Sequence, residues 1–232
     1  MAFTGVIGAE NSSTTGNASL TFASAPADGD LVVVLVHVNT DSDTIADNTG
    51  SGATFTLEYQ DVDTPETNTY TLFWKVAASE PSGPATYNFT NTSSRWGAIG
   101  MFATPDSGTP AVDAKLNGYD STVGATDVIT GITVADDTIA MAFSMRDRQT
   151  GATPSVDNSY DGVNAGEPWD ALNGQRTLGC YRLFTTGAAT GTVTITPGGT
   201  NDTAGWVHIS FKHAAGGGAT SKLVVLNRNR GM

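Results

Sequence analysis

The sequence predicts an all-β protein, an antiparallel two-sheet β-sandwich of jelly-roll type that is built from two repeated halves. Three observations predict this fold. Glycine is frequent, with 27 of 232 residues, and only 15% of residues are charged, which favours short strands joined by tight turns. Strand-like runs follow one another along the chain, and none shows a helical period over ten residues. The order and spacing of these runs in the first half recur in the second.

Each strand-like run contains β-branched or aromatic residues and is bounded by Gly, Pro, Asn or Asp. The predicted strands are about 18–23, 30–38, 54–60, 68–77, 85–90, 95–103, 125–133, 137–145, 176–185, 190–196, 203–212 and 220–226. The longest interruptions, 40–53 and 146–175, both follow the first core strand of their half. Long loops of this kind are common places for binding sites.

The internal repeat is visible when the second half is laid on the first. Four pairs of segments match: 27–38 with 134–145 and 73–77 with 180–184 at an offset of 107, 85–90 with 191–196 at 106, and 95–102 with 205–212 at 110. This recurrence predicts a duplication, with halves at about 18–106 and 125–213.

The matched strands alternate apolar and polar residues, as strands with one buried face do. The inward candidates are Trp74, Val76, Tyr181 and Leu183, with Lys75 and Arg182 between them. Two halves that each offer one apolar face can cover each other. We therefore predict a single sandwich domain over 1–213, with two independent sandwiches of about 100 residues as the alternative.

Charge excludes some classes of partner. The formal net charge is −12, and because Lys222, Arg228 and Arg230 lie in a stretch without acids, the first 221 residues carry 8 basic against 23 acidic side chains. Such an acidic body repels phosphate backbones and anionic membranes. We expect no nucleic-acid partner.

Cysteine content and hydropathy narrow the class further. Cys180 is the only cysteine, so the chain has no internal disulfide, and we interpret it as a small buried hydrophobe. The start of the chain has neither a basic nor an apolar signal region, and no run of 18 apolar residues occurs. We expect synthesis in the cytoplasm without a secretion signal and without membrane insertion.

An acidic loop is the strongest candidate for a metal site. Asp41, Asp43 and Asp47 have a spacing that resembles a calcium loop, since calcium takes six to eight oxygen ligands. The loop lacks a glycine at its sixth position, and Gly52 stands where a bidentate glutamate is required. We therefore expect a solvated loop, no metal and no other cofactor.

The sequence contains no catalytic signature, and we expect that the protein is not an enzyme. Asp61, Asp63 and Glu66 could supply a glycosidase carboxylate pair, but nothing in the sequence places two carboxylates across a groove. His37, His208 and His213 have no partner at zinc-ligand or nucleophile spacing. We interpret these histidines as structural.

Two aromatic residues in the longest loop are candidates for glycan binding. Tyr160 and Trp169 are flanked by Asp and Asn, and sugar rings stack on flat aromatic surfaces while carboxylates and amides bind their hydroxyls. The alternative is that Trp169 packs the loop onto the sandwich.

The C-terminal segment, 214–232, is a candidate for assembly. Three glycines form a flexible joint, and SKLVVLN then has strand-like composition before a basic end. A lone strand must pair with the edge of its own sheet or of a neighbour's sheet. The candidate assembly residues are Lys222, Leu223, Val224, Val225, Leu226, Arg228 and Arg230.

The strand patterns GDLVVVLVHV, FWKVA, ATYNFT, RWGAIGMF and GWVHISF, over residues about 18 to 212, resemble β-sandwich structural proteins of tailed bacteriophages and prophages. The resemblance implies a virion component at the head or tail surface, with other copies and other virion proteins as partners and no catalytic residues. We therefore predict a structural protein of the virion, either a head-decoration protein or a component of the tail or of a fibre. A carbohydrate-binding module for receptor recognition, which uses the long loops to bind host glycans, is the alternative.

Overall fold

The computed structural model describes residues 3–40, 44–63, 68–92, 95–124, 126–146, 154–157, 159–162, 169–171, 176–196 and 202–213. Within these residues every regular element is a β-strand, and no helix long and apolar enough to cross a membrane is found among them. The strands are β1 (Phe3–Ser13), β2 (Ala18–Phe22), β3 (Leu31–Val38), β4 (Ala46–Asp47), β5 (Thr56–Asp63), β6 (Asn68–Val76), β7 (Ala85–Thr90), β8 (Trp96–Pro105), β9 (Pro110–Gly124), β10 (Asp127–Ile129), β11 (Thr133–Val134), β12 (Thr138–Arg146), β13 (Ser155–Val156), β14 (Trp169–Ala171), β15 (Arg176–Phe184), β16 (Ala188–Ala189), β17 (Val193–Thr196) and β18 (Asp202–His213).

The strands form two large and two small antiparallel sheets. The first large sheet has the order β1-β8-β3-β6-β5 and the second has the order β9-β18-β12-β15-β14. The small sheets are β2-β7-β4 and β10-β17-β13, and β11 pairs with β16 as a short ribbon. The predicted all-β, antiparallel fold class is confirmed.

The sheet orders confirm the predicted repeat. Apart from the short ribbon, the strands of the first half correspond one by one, in chain order and in sheet position, to those of the second half. In each half the first strand pairs with the last, the second with the last but one, and the third with the sixth. This nested pairing of eight strands over two sheets is that of a jelly roll.

The register of the repeat differs from the one that the sequence alignment predicts. Leu35 in β3 pairs with Ile99 in β8, whereas Phe143 in β12 pairs with Val207 in β18, so both members of the second pair lie 108 positions further along. All four side chains belong to one core. The offset of 107 for this strand is wrong by one residue, and a one-residue slip exchanges the two faces of a strand.

The molecule has four layers, and three cores fill the spaces between them. The central core lies between the two large sheets and includes Val33, Met101, Met141 and Ile209. The first outer core lies between the first large sheet and β2-β7-β4, and the second lies between the second large sheet and β10-β17-β13. Each half is thus a two-sheet sandwich in its own right, and the two halves are joined through the central core. The two outer sheets were not anticipated by the alternation of apolar and polar residues along the strands.

The predicted alternation of apolar and polar residues is absent from the middle strands, because these strands are buried on both faces. Every residue of β3 and of β12 is buried. In β3, Val33 faces the central core and Val34 faces the first outer core. An uninterrupted apolar run such as LVVVLVHV is typical of a strand that is covered on both sides.

The two halves pack with an approximate twofold arrangement. At one side of the central core β5 lies against β9, since Lys115 in β9 contacts Glu58 in β5. At the other side β14 lies against β1 and β8. Because β5 corresponds to β14 and β1 to β9, each edge of one large sheet faces the non-equivalent edge of the other, as an isologous pair requires.

Candidate functional site

The predicted assembly residues, Lys222, Leu223, Val224, Val225, Leu226, Arg228 and Arg230, lie outside the described residues. The structure does show where that segment leaves the sandwich. His213 is the last residue of β18 and pairs with Pro110, the first residue of β9. The segment therefore emerges at one end of the edge strand of the second large sheet.

The acidic loop gives no indication of a metal site in its described part. Asp41 and Asp43 lie outside the described residues. Asp47 accepts hydrogen bonds from the backbone N–H groups of Thr49, at 2.9 Å, and Phe55, at 3.2 Å. Its carboxylate organises the loop, and the described part of the chain contains no group of three or more His, Cys, Asp or Glu side chains that could hold a metal ion.

Tyr160 is not a surface platform, which corrects its assignment as a glycan-binding residue. Only 1% of the residue is exposed, and its ring belongs to the second outer core. Its hydroxyl donates to His208 Nε2 at 2.8 Å, and His208 Nδ1 donates to the carbonyl oxygen of Thr130 at 2.9 Å. A buried ring that is closed off by protein atoms offers no face to a sugar.

Burial fixes the charge state of this pair. Desolvation lowers the pKa of His208 against the opposing effect of the Thr130 carbonyl, and desolvation raises the pKa of Tyr160. His208 is therefore neutral in the fold, with its proton on Nδ1. The long loop that the sequence offers as a binding loop is joined to the sandwich through Tyr160.

Trp169, the second glycan candidate, is described only in its backbone. It pairs with Gly179, as Tyr59 pairs with Leu72 in the first half. Trp169 therefore begins a strand at the position equivalent to Tyr59, and the 146–175 interruption contains two strands of the jelly roll, β13 and β14. Glycan binding by this residue stays a prediction.

The carboxylates that could serve a glycosidase do not form a described pair. Asp61 accepts hydrogen bonds from the hydroxyls of Tyr59 and Tyr70, at 3.3 Å for the latter. The side chain of Asp63 and all of Glu66 lie outside the described residues. Burial, followed by the Asp61 hydrogen bond, raises the pKa of Tyr59, so the Tyr59 phenol keeps its proton and holds Asp61 in place.

Asp61 belongs to a polar seam where β5 and β6 of the first half meet β9 of the second. Glu58 accepts from Trp74 Nε1 at 2.9 Å and contacts Lys115 Nζ at 2.6 Å, and Asn117 donates to the Tyr59 hydroxyl. The sequence gives no signal for this seam, because its residues are far apart in the chain and ordinary for the wet face of a strand. The seam fixes the position of one half on the other.

The structure also corrects the position of Lys75, which the alternation assigns to a solvated face. Lys75 is 2% exposed, its Nζ lies 2.8 Å from Glu80 Oε1, and it sits 4.5 Å from the ring centres of Phe55 and Tyr87. A lysine can be buried at such a site because a carboxylate pairs with it and two rings stabilise its charge.

The second half carries a buried charged cluster at positions whose equivalents in the first half include the apolar Ala18 and Val38. Arg146 pairs with Asp127, which also accepts from Ser144, and Arg176 lies beside Arg146 in the β12–β15 ladder. Asp127 and Arg176 are 0% exposed and Arg146 is 1% exposed. The two halves thus differ in the residues of their outer cores, although they have the same strand order and pairing.

The outer strands of the large sheets provide the surface that is best suited to assembly. Among the described strands, β1, β5, β9 and β14 each pair on one side only. Three of the most exposed large apolar side chains lie on these edges: Ile7 on β1, Leu57 on β5 and Leu116 on β9. Such edges present backbone N–H and C=O groups to any strand that approaches.

Compared with known proteins, the chain matches no protein-family model and no curated protein. One solved structure that the comparison matches to this chain is the major capsid protein P2 from bacteriophage PM2. The two share 8% sequence identity, the match covers 92% of this chain and 99% of that chain, and the TM-score is 0.32. These values show no common family, and the jelly-roll assignment above follows from the strand pairing of this chain.

Proposed function

We propose that this protein is a structural component of a bacteriophage virion, a head-decoration, tail or fibre protein that assembles with copies of itself and with other virion proteins. Its C-terminal segment contributes to those contacts. It acts by burying surface against neighbours and not by catalytic turnover.

The observation that carries this proposal is the paired jelly-roll architecture. Two eight-stranded sandwiches are packed through a central core to which both large sheets contribute, including Ile99 from one half and Val207 from the other. Jelly rolls are the architecture of many viral capsid and lectin domains. A protein in which three cores fill the spaces between four layers of sheet is suited to bearing load within a particle.

Charge and edges support the same proposal. The body up to residue 221 carries 8 basic against 23 acidic side chains, and the following eleven residues carry three basic side chains and no acid. Opposite charges on two parts of one chain favour contact between neighbouring copies. The one-sided edge strands offer places where such contact can be made by strand pairing.

Antibodies raised against the purified protein test this proposal directly. Particles recovered from cells that encode the chain are labelled with gold-conjugated antibody and viewed by electron microscopy, with an unrelated antibody as control. We expect gold at one defined location on the head or tail. Particles that carry no gold and yield no peptides of this chain in mass spectrometry would contradict the proposal.

A further inference from the structure

β9 is the longest edge strand of the molecule's described part. This strand of 15 residues pairs with β18 on one side, and no described strand pairs with it on the other. The middle of the strand, Lys115 to Asn117, is exposed, with Leu116 39% accessible. A long free edge is a template for another strand, and natural proteins usually cover it.

The chain itself provides a segment suited to this edge. It leaves β18 at His213, beside Pro110, and the next seven residues, AAGGGAT, precede the apolar run SKLVVL at 221–226. That run has the β-branched and aliphatic composition of a strand and no acid. Its length of six residues is that of an average strand.

Chain length favours a neighbouring copy as the source of an antiparallel strand. A six-residue strand centred on the exposed middle of β9 and antiparallel to it begins beside Tyr119, whose partner in β18, Gly205, is eight residues and about 26 Å from His213 at ~3.3 Å per residue. The eight Cα–Cα steps from His213 to Ser221 span about 26–29 Å when fully extended, so the same copy reaches this position only with its glycine linker stretched to its full length, which costs the linker its conformational freedom. With a relaxed linker the same copy reaches this part of β9 in the parallel direction, which is the less stable pairing.

Charge favours the antiparallel direction as well. In that direction the basic residues that follow the strand, Arg228 and Arg230, lie toward the Pro110 end of the acceptor. Asp113 and Asp106 are at that end, where they contact Lys212 and His213 respectively. Carboxylates near an approaching pair of arginines guide the strand into register and raise its association rate.

From these observations we infer that residues 221–226 of one copy pair, antiparallel, with residues 114–119 of β9 in a neighbouring copy. The partner is thus a second copy of this chain, and the acceptor is the edge of its second large sheet. This inference rests on the proposed assembly role and specifies the surface through which that role is exercised.

Cysteine cross-linking of the full chain tests the inference. Leu116→Cys is made in one preparation, and Leu223, Val224, Val225 and Leu226 are each replaced by Cys in four others. Cys180 stays in place, because it is fully buried and burial raises the pKa of its thiol. Each pair is mixed, oxidised and analysed on a non-reducing gel. The control acceptor is Ile7→Cys on β1, which has nearly the same exposure, 37%.

We expect interchain disulfides with Leu116→Cys at alternate tail positions only, because successive side chains of a strand point to opposite faces. Yields should be at least several-fold lower with Ile7→Cys. The inference is overturned if no tail position cross-links, if all four do so equally, or if Ile7→Cys is the better acceptor. It is also overturned if a chain with both cysteines forms only an intrachain disulfide at high dilution. The gold labelling of particles is independent of all these outcomes.

Discussion

The ring of Tyr70 in the first half lies against the backbone of Gly205 in the second half. A Cβ atom added at Gly205 would come within 2.8 Å of Tyr70 Cε1. Gly179 is similar, since its added Cβ would lie 2.8 Å from Ile99 Cγ2. The two large sheets therefore approach each other closely at two glycines of the second half, where a larger residue would collide with the first half.

Replacing Gly205 by Ala should destabilise the protein. Tyr70 is 2% exposed and its hydroxyl is bound to Asp61, so the ring has little room to move. Overpacking of this kind costs roughly 1–3 kcal/mol of unfolding free energy, to be measured by denaturant titration. In a Tyr70→Ala background the same change should cost much less, and an equal cost in both backgrounds would contradict the contact.

Replacing Asp127 by Asn should be more damaging. The change leaves the guanidinium of Arg146 buried without its carboxylate, which costs on the order of 3–5 kcal/mol. The equivalent positions of the first half are apolar, Ala18 and Val38. A double variant, Asp127→Ala with Arg146→Met, should therefore recover part of the loss in a thermal-unfolding measurement. A single variant as stable as the wild type would show that the pair contributes nothing.

Stability should fall as the pH drops below about 6.5, and His208 should account for part of that fall. The pKa of His208 is lowered in the fold, so below the unfolded pKa the unfolded chain binds a proton at this residue while the folded chain does not. The contribution of neutral His208 to the free energy of unfolding is fully present above the unfolded pKa. It is lost as the pH decreases from there through the folded pKa, at up to about 1.4 kcal/mol per pH unit. Denaturant midpoints from pH 7 to pH 4.5 measure it.

The matched variant is His208→Gln, which keeps hydrogen-bonding capacity and removes the titration. It should be less stable at pH 7 and show a shallower decline between pH 6.5 and pH 5. If the slopes of wild type and variant coincide, His208 does not titrate as its burial requires.

Glycan binding can be separated from folding at the two aromatic candidates. Tyr160→Phe leaves His208 Nε2 without its donor and should cost about 1–3 kcal/mol of stability with no change in any glycan profile. Trp169→Ala tests the second candidate, and an unaltered array profile would count against glycan binding by this residue. Loss of a specific glycan signal in Trp169→Ala, with stability preserved, would favour the carbohydrate-binding alternative.

Most interior strands were predictable from the sequence because their composition is strongly biased. The predicted runs 30–38, 137–145 and 176–185 agree within two residues at each end with β3, β12 and β15. β-branched and aromatic residues bounded by turn residues are enough to locate such strands.

Two of the edge strands, β1 and β9, were not predictable in the same way, whereas the predicted run 54–60 overlaps β5. β1 and β9 are absent from the predicted set, since FTGVIGAENSS and PAVDAKLNGYDSTVG are rich in glycine and polar residues. Strands at an edge bury less and so need fewer apolar residues. Each half consequently begins one strand earlier than the repeat in the sequence indicates.

The register of the repeat and the polar clusters could not be predicted from the sequence, because both depend on contacts that form only in the folded chain. When a strand is apolar on both faces, as β3 is, its sequence carries no alternation from which to read the phase, and a one-residue misalignment follows. Tyr160, Lys75 and Asp127 are buried by contacts with residues distant in the chain. Local composition does not distinguish them from polar residues on the surface.

Solution mass tests the central claim, assembly through the C-terminal segment, most directly. Light scattering is measured on the intact protein and on a version that ends at His213, with circular dichroism to verify that the shortened protein retains its β-structure. The account predicts a defined oligomer for the intact chain and a folded monomer for the shortened one. Two folded proteins of the same oligomeric state would contradict it.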